Sequence, residues 1–279
     1  MSVKEVKIAA AQYAPQHAQP DVNLAAALDL ITQASRAGAA LLVLPECCLT
    51  GYRFADAAAL RTVAEQRGSA RLARLADAAA VAGITVVAGI AEREGPLLFD
   101  SAVVLQPHAA PAYYRKIHLW GAEREIFSAG DTPMVVPTPV GKVGLSICYD
   151  LWFPELSRAL ALQGADIIAS PANWAGNPRM VQVLDSQGQA MGFHLARTTA
   201  CVNEVAVVAA DRIGQEQTTR YLGNSCIVSS AGEVLAGPAP FDETTLIVAG
   251  VELGSRDDLQ SHIKSRRPDV YARYRGAGE

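Results

Sequence analysis

The sequence predicts an α/β fold, and three observations carry that prediction. Short continuous apolar runs such as ALLVL and ITVVAGIA read as strands covered on both faces. Segments with helical apolar spacing alternate with those runs along the chain. Three of the helix-like segments close on a glycine, at Gly38, Gly83 and Gly164, that leads straight into the next strand.

Taken in order, residues 6–12 form a first buried strand, and after a Pro-containing loop residues 23–37 form a helix. Residues 40–44 are a strand that Pro45 and Glu46 stop abruptly. A second helix over 69–82 feeds a strand over 84–91. Strands at 99–105 and 112–119 flank the turn-forming QPHAAP, so antiparallel pairing is expected there. If 112–119 is extended throughout, Tyr114, Lys116 and His118 share one face.

In the second half, Pro154 opens a helix running to 163, and 165–170 follows as a strand. A further strand lies at 205–210, and GNSCIVSSAGEVLA folds as a hairpin around Ala231 and Gly232. KIAAAQY and KVGLSICY are candidate equivalent first strands. Each leads through a helix to a strand whose far end is polar, at Glu46 or Asn173, so internal duplication is one reading of the pattern. No linker divides the chain, which reads as a single domain over 1–279 with a charged, peripheral tail at about 255–279.

Composition narrows the function. A net charge of −4 without a clustered basic stripe gives no electrostatic reason to expect a nucleic-acid partner. No apolar run is long enough to cross a bilayer, and the N-terminal residues lack a secretory pattern. Five cysteines with no CxxC pair favour neither a disulfide framework nor a zinc cage, so a reducing cytoplasm is expected. The five histidines are scattered without ligand spacing, and neither metal nor organic cofactor is implied.

The reactive candidates are Cys148 at the end of KVGLSICY, Glu46 after LLVLP and Lys116 in YYRKIH. A cysteine attacks carbonyl or nitrile carbon as thiolate and needs a base or cation beside it. A carboxylate can take the thiol proton, deliver it to the departing amine and then activate water. A lysine can hold the oxyanion together with the backbone N–H of Tyr149. Each residue also has a plain structural explanation: a small core thiol, a helix-start carboxylate, an edge-strand charge. A papain-style alternative pairs Cys148 with His118 as base.

Three blocks, LVLPECCLTGY, YYRKIHLWGAEREIF and GLSICYDLWFPELSR, resemble in order the signature blocks of the nitrilase superfamily, the carbon-nitrogen hydrolases. ASPANWA, GNSCIVSSAGEVLA and RRPDVY extend the resemblance over nearly the whole chain. The resemblance implies a four-layer αββα sandwich of two mixed sheets, internally pseudo-duplicated, in a homodimer or larger homo-oligomer. It implies Glu46 as base, Lys116 as oxyanion lysine, Cys148 as nucleophile and Glu123 as a second active-site glutamate that orients Lys116 or the substrate, with Glu125 as the alternative. Candidate substrate contacts are Tyr149, Trp152, Asn173 and Trp174. The expected substrate is a small amide, with carbamoyl amides and nitriles as alternatives and a non-catalytic scaffold as the rival from another class. The segment TTACVNEVAVV keeps Asn203 but lacks the glutamate that relatives often carry just before it, so the supporting contacts usual there are not expected; separately, the stretch from Trp174 to His194 assigns no pocket.

Overall fold

The computed structural model describes residues 4–176, 184–254 and 261–272. The first half runs β1 (Lys4–Gln12), α1 (Pro20–Arg36), β2 (Leu41–Val43), α2 (Ala57–Arg61), α3 (Ala70–Ala82), β3 (Thr85–Glu94), β4 (Leu97–Gln106), β5 (Ala109–Arg115) and α4 (Glu123–Ile126). Next come β6 (Val135–Thr138), β7 (Gly141–Leu145), a 3-10 turn (Cys148–Trp152), α5 (Pro154–Leu162), β8 (Ile167–Ala172) and β9 (Ala175–Gly176). The remainder is α6 (Met191–Asn203), β10 (Ala206–Asp211), β11 (Gln215–Glu216), β12 (Thr219–Tyr221), β13 (Cys226–Val228), β14 (Val234–Ala236), β15 (Thr245–Leu253) and α7 (Pro268–Tyr271).

Two six-stranded mixed sheets form, in orders β15-β1-β2-β3-β4-β5 and β6-β7-β8-β10-β13-β14. Each has a parallel trio, β1/β2/β3 or β7/β8/β10, flanked by antiparallel strands. The alternation of strand side chains explains the layering. On β1, Ile8 and Ala10 join Val143, Leu145, Ile167 and Val208 in the core between the sheets. Their neighbours Ala9 and Ala11 face the other way, with Leu24 and Ile31 of α1 and Leu72 and Leu75 of α3. On the far side, Ile168 and Val207 pack against Leu156, Leu160, Phe193 and Ala196 of α5 and α6. The result is the αββα sandwich, and the two sheets repeat one strand order, so the chain is internally duplicated. A Leu42→Ala change in this fully buried trio belongs to the class that loses about 2–5 kcal/mol.

Local signals account for the helix–glycine–strand modules. Ser69 caps α3, accepting from the Leu72 N–H at 3.3 Å, and Gly83 closes it at φ +69°. Prolines open α1 and α5. The hairpin between β4 and β5 turns on Pro107 and His108 alone, with His108 at φ +63°.

One sequence expectation changes. β5 stops at Arg115 rather than continuing to 119, so Tyr114, Lys116 and His118 do not share a single strand face. Past Arg115 the segment around Gly130 takes over the pairing: the Gly130 N–H donates to the Lys116 carbonyl at 2.8 Å. A Cβ at 130 would sit 2.2 Å from the Arg115 carbonyl oxygen, so glycine permits the substitution of partner. Within the tail, 255–260 and 273–279 lie outside the described residues, and α7 buries no side chain.

Candidate active site

The strand ends of both sheets converge on one site. Glu46 lies in the turn after β2, backed so closely by β3 that a Cβ on Gly89 would meet the Glu46 Cα at 2.4 Å. Lys116 follows β5 and is fully buried. Its ammonium donates to Glu46 Oε1 at 2.6 Å, Glu123 Oε1 at 2.7 Å and Asp100 Oδ2 at 3.0 Å. Glu123, first residue of α4, also accepts from the Trp120 N–H at 2.7 Å and from the Tyr52 hydroxyl. Glu125 is exposed and stands apart from this cluster.

Neither plain explanation of the two charged residues holds. Glu46 caps no helix, and Lys116 is enclosed rather than presented at an edge. Carboxylate oxygens of Glu46, Asp100 and Glu123 lie within 4.8 Å of one another, a spacing a cation can bridge. The Lys116 ammonium, bonded to all three, takes that position.

Cys148 begins the 3-10 turn at the end of β7 with φ +47°, a left-handed conformation unusual for a residue with a Cβ and frequent at functional sites. The backbone N–H of Asn173 faces its sulfur. Burial pushes the thiol well above its ordinary range and the Glu46 charge adds to this, while Lys116 pulls it back. For Glu46, burial and then Asp100 raise the carboxyl well above the usual range against the opposing pull of Lys116. Burial works to lower Lys116, yet Asp100, Glu46, Glu123 and Cys148 together hold the ammonium well above the usual lysine range. Glu123 is raised by burial, with Lys116 opposing. The three predicted residues thus form one electrostatically coupled group.

A cavity of about 180 Å³ opens over the thiol. Tyr149, Trp152, Asn173 and Trp174 all line it, together with Trp120, which sequence reasoning missed. Trp152 is 42% exposed at the rim, and Trp174 is buried, its backbone N–H donating to Asp211 Oδ1 at 2.8 Å. Of the unassigned stretch after Trp174, residues 177–183 lie outside the described residues.

His118 is engaged elsewhere. Its Nδ1 lies 2.8 Å from Asp150 Oδ1, and its ring stacks on Phe153 at 3.7 Å between centroids. Asp100 and Tyr52 were also missed. A lone acid inside the apolar run LLFDSAVVLQ was the available signal for Asp100, because a buried charge is informative where a buried leucine is not. Tyr52 is placed from the second half. The Glu216 carboxylate accepts from its backbone N–H at 3.0 Å and from that of Arg53 at 2.8 Å, and the buried Arg212 pairs with Glu216.

Fold and site define a class: an αββα protein with a thiol, a buried lysine and carboxylates at one sheet edge. The carbon-nitrogen hydrolase model matches residues 7–259, and the chain belongs to that family, the nitrilase superfamily of hydrolytic enzymes. It is 38% identical over 275 residues to a nitrilase of Pyrococcus abyssi, covering 96% of this chain and 100% of the relative. It is 30% identical over 289 residues to an N-carbamoylputrescine amidase of Arabidopsis thaliana, covering 96% and 94%. Among solved structures it resembles an amidase from Nesterenkonia sp. AN1, with TM-score 0.77, 26% identity, and 96% and 99% of the two chains covered. A variant of that amidase carries acrylamide added at its active-site cysteine.

Proposed function

We propose that this protein hydrolyses the carbon-nitrogen bond of a small carboxamide through a thioester on Cys148, releasing ammonia and a carboxylic acid. The observation that carries it is the Lys116 ammonium, donating at 2.6 Å to Glu46 Oε1 while Glu46 Oε2 has no hydrogen-bond partner among the described residues. One oxygen of the base is anchored and the other is free to take a proton.

Glu46 removes the thiol proton as sulfur attacks the carbonyl carbon. Burial and Asp100 raise the Glu46 carboxyl, which makes it a stronger proton acceptor than an ordinary carboxylate, and Lys116 draws the thiol toward its charged form. Lys116 and the Tyr149 N–H receive the charge developing on oxygen. The tetrahedral adduct collapses with cleavage of the C–N bond, and Glu46 returns the proton to the departing nitrogen as ammonia leaves. Glu46 then takes a proton from water, hydroxide attacks the thioester carbon, and the C–S bond breaks with return of the proton to sulfur. Glu123 orients Lys116 throughout. Tyr149, Trp152, Asn173 and Trp174 contact the acyl group, and about 180 Å³ suits a small one.

The names of the relatives support amide, carbamoyl amide and nitrile cleavage as a set; amides lead because the structural neighbour is an amidase. All five cysteines are free, which supports residence in the cytoplasm. Among the described residues no helix is long and apolar enough to cross a membrane. Exposed Leu162, Val202 and Tyr271 on α5, α6 and α7 offer an apolar face for a homodimer.

Intact-mass measurement after brief mixing with carboxamides, carbamoyl amines and nitriles tests the reading. An acyl adduct on Cys148 with a carboxamide is expected, and turnover should vanish in Cys148→Ala. His118→Ala should still form the thioester, at a reduced rate, because the base is Glu46 and not the imidazole. Full turnover without the thiol, or no adduct and no product with any compound, would sink the proposal.

A further inference from the structure

Asp150 lies two residues past Cys148 and is fully buried. Its Oδ2 accepts from the Ile147 N–H at 2.9 Å and from the Tyr114 hydroxyl at 2.6 Å. Its Oδ1 accepts from the His118 N–H at 3.0 Å and lies 2.8 Å from His118 Nδ1. A carboxylate offers roughly four lone-pair positions, and these four contacts occupy them. Ile147 immediately precedes the nucleophile. Tyr114 and His118 flank Lys116 at equal distance along the chain.

The backbone of Lys116 is tied to the first sheet through its N–H to the Asp100 carbonyl at 2.8 Å. Cys148 extends β7 of the second sheet. Asp150 therefore spans the seam between the sheets at the place where thiol and ammonium must face one substrate carbonyl. Stacking of Phe153 on the His118 ring reinforces the same bridge from the residue that closes the 3-10 turn.

We propose that Asp150 is a positioning residue: with Tyr114 and His118 it fixes the separation between the Cys148 sulfur and the Lys116 ammonium, and with it the rate of thioester formation. This rests on the thioester reading above. Misplacing reacting groups by about 1 Å can lower a rate on the order of 100-fold, so the clamp should show in kcat.

The experiment uses full-length Asp150→Asn and Tyr114→Phe. It compares kcat and KM on a carboxamide substrate with the rate at which ethyl iodide, which has no carbonyl, alkylates Cys148. Alkylation at a methylene carbon develops no oxyanion, so it reports on the thiol without the lysine. Asp150→Asn should lower kcat roughly 10- to 100-fold and Tyr114→Phe roughly 3- to 10-fold, with KM and alkylation within about threefold. The double variant should lose less than the product of the two, because the changes act on one link. Should Asp150→Asn fail to fold, Tyr114→Phe decides. Near-normal kcat in folded variants overturns the clamp, as does a parallel fall of kcat and alkylation in step with a lowered Tm. If Cys148→Ala is inactive while both variants are unaffected, the clamp alone fails; if Cys148→Ala turns over, both readings fall.

Discussion

The two halves of this molecule build the same sheet and use it differently. At the end of β1 stands Gln12, whose Nε2 donates to the Glu243 carbonyl at 3.1 Å and whose Oε1 accepts from the Ser225 N–H at 3.1 Å. At the end of β7, its counterpart, stands Cys148. After β2 comes an acid, Glu46; after the matching β8 comes an amide, Asn173. The hairpin β4–β5 is long and delivers Asp100 and Lys116, whereas β13 and β14 are three residues each. One half thus holds the charges and the other the sulfur and most of the aromatic cavity wall. Each sheet supplies only part of the cluster, and the lesson is that two edges with the same strand order can carry different chemistry.

That division can be broken most severely at Lys116. Lys116→Met removes the cation shared by three buried carboxylates, and stranding buried charge of this kind costs about 3–5 kcal/mol. Chemical denaturation should show that loss, together with complete loss of turnover. A Lys116→Met protein as stable as the parent would mean that the first half is not organised around its ammonium.

Glu46→Gln sharpens the contrast. Loss of the base should lower kcat about 10²- to 10⁴-fold, the range of general acid–base contributions. Stability should move the other way. Burial and Asp100 raise the folded Glu46 carboxyl well above the usual carboxylate range, so above that range the folded protein binds more protons than the unfolded chain. This contribution to stability is present at low pH and lost as pH rises toward the folded value. The amide is free of that penalty, so the Tm of Glu46→Gln relative to the parent should climb between pH 5 and pH 8. A flat or falling difference would contradict the crowded-carboxylate account.

The mildest intervention is Gln12→Ala. Leaving buried partners unmet costs about 1–3 kcal/mol. A lower Tm with kcat within about threefold is expected, because the β1 edge supports loops rather than reacting groups. A large fall in kcat at unchanged Tm would erase the distinction between the two edges.

Much of this arrangement was legible in the chain. The helix–glycine–strand modules rest on local signals, Ser69, Pro154 and the three glycines, and appear where expected within a few residues. Glu46, Lys116 and Cys148 stood out because each terminates or follows a strand-like run. Pairing of β1 with β15, from Lys4 opposite Leu253 to Gln12 opposite Thr245, was invisible because no short-range pattern encodes a partner near the other end of the sequence. α6 was missed as well, its buried face interrupted by Gly192, Thr199 and Asn203. Asp100 and Tyr52 acquire meaning only once distant segments bring Lys116 and Glu123 to them.

The crowding of Gly89 under Glu46 has its own implication. Backbone rests on backbone there, with no side chain between them to adjust. The height of the carboxylate above the first sheet is accordingly fixed by main-chain contact, and drift in the surrounding apolar residues can alter stability without moving Glu46. A single added methyl group at that spot would act as a wedge, turning the mildest of substitutions into one that lifts the acid away from its lysine.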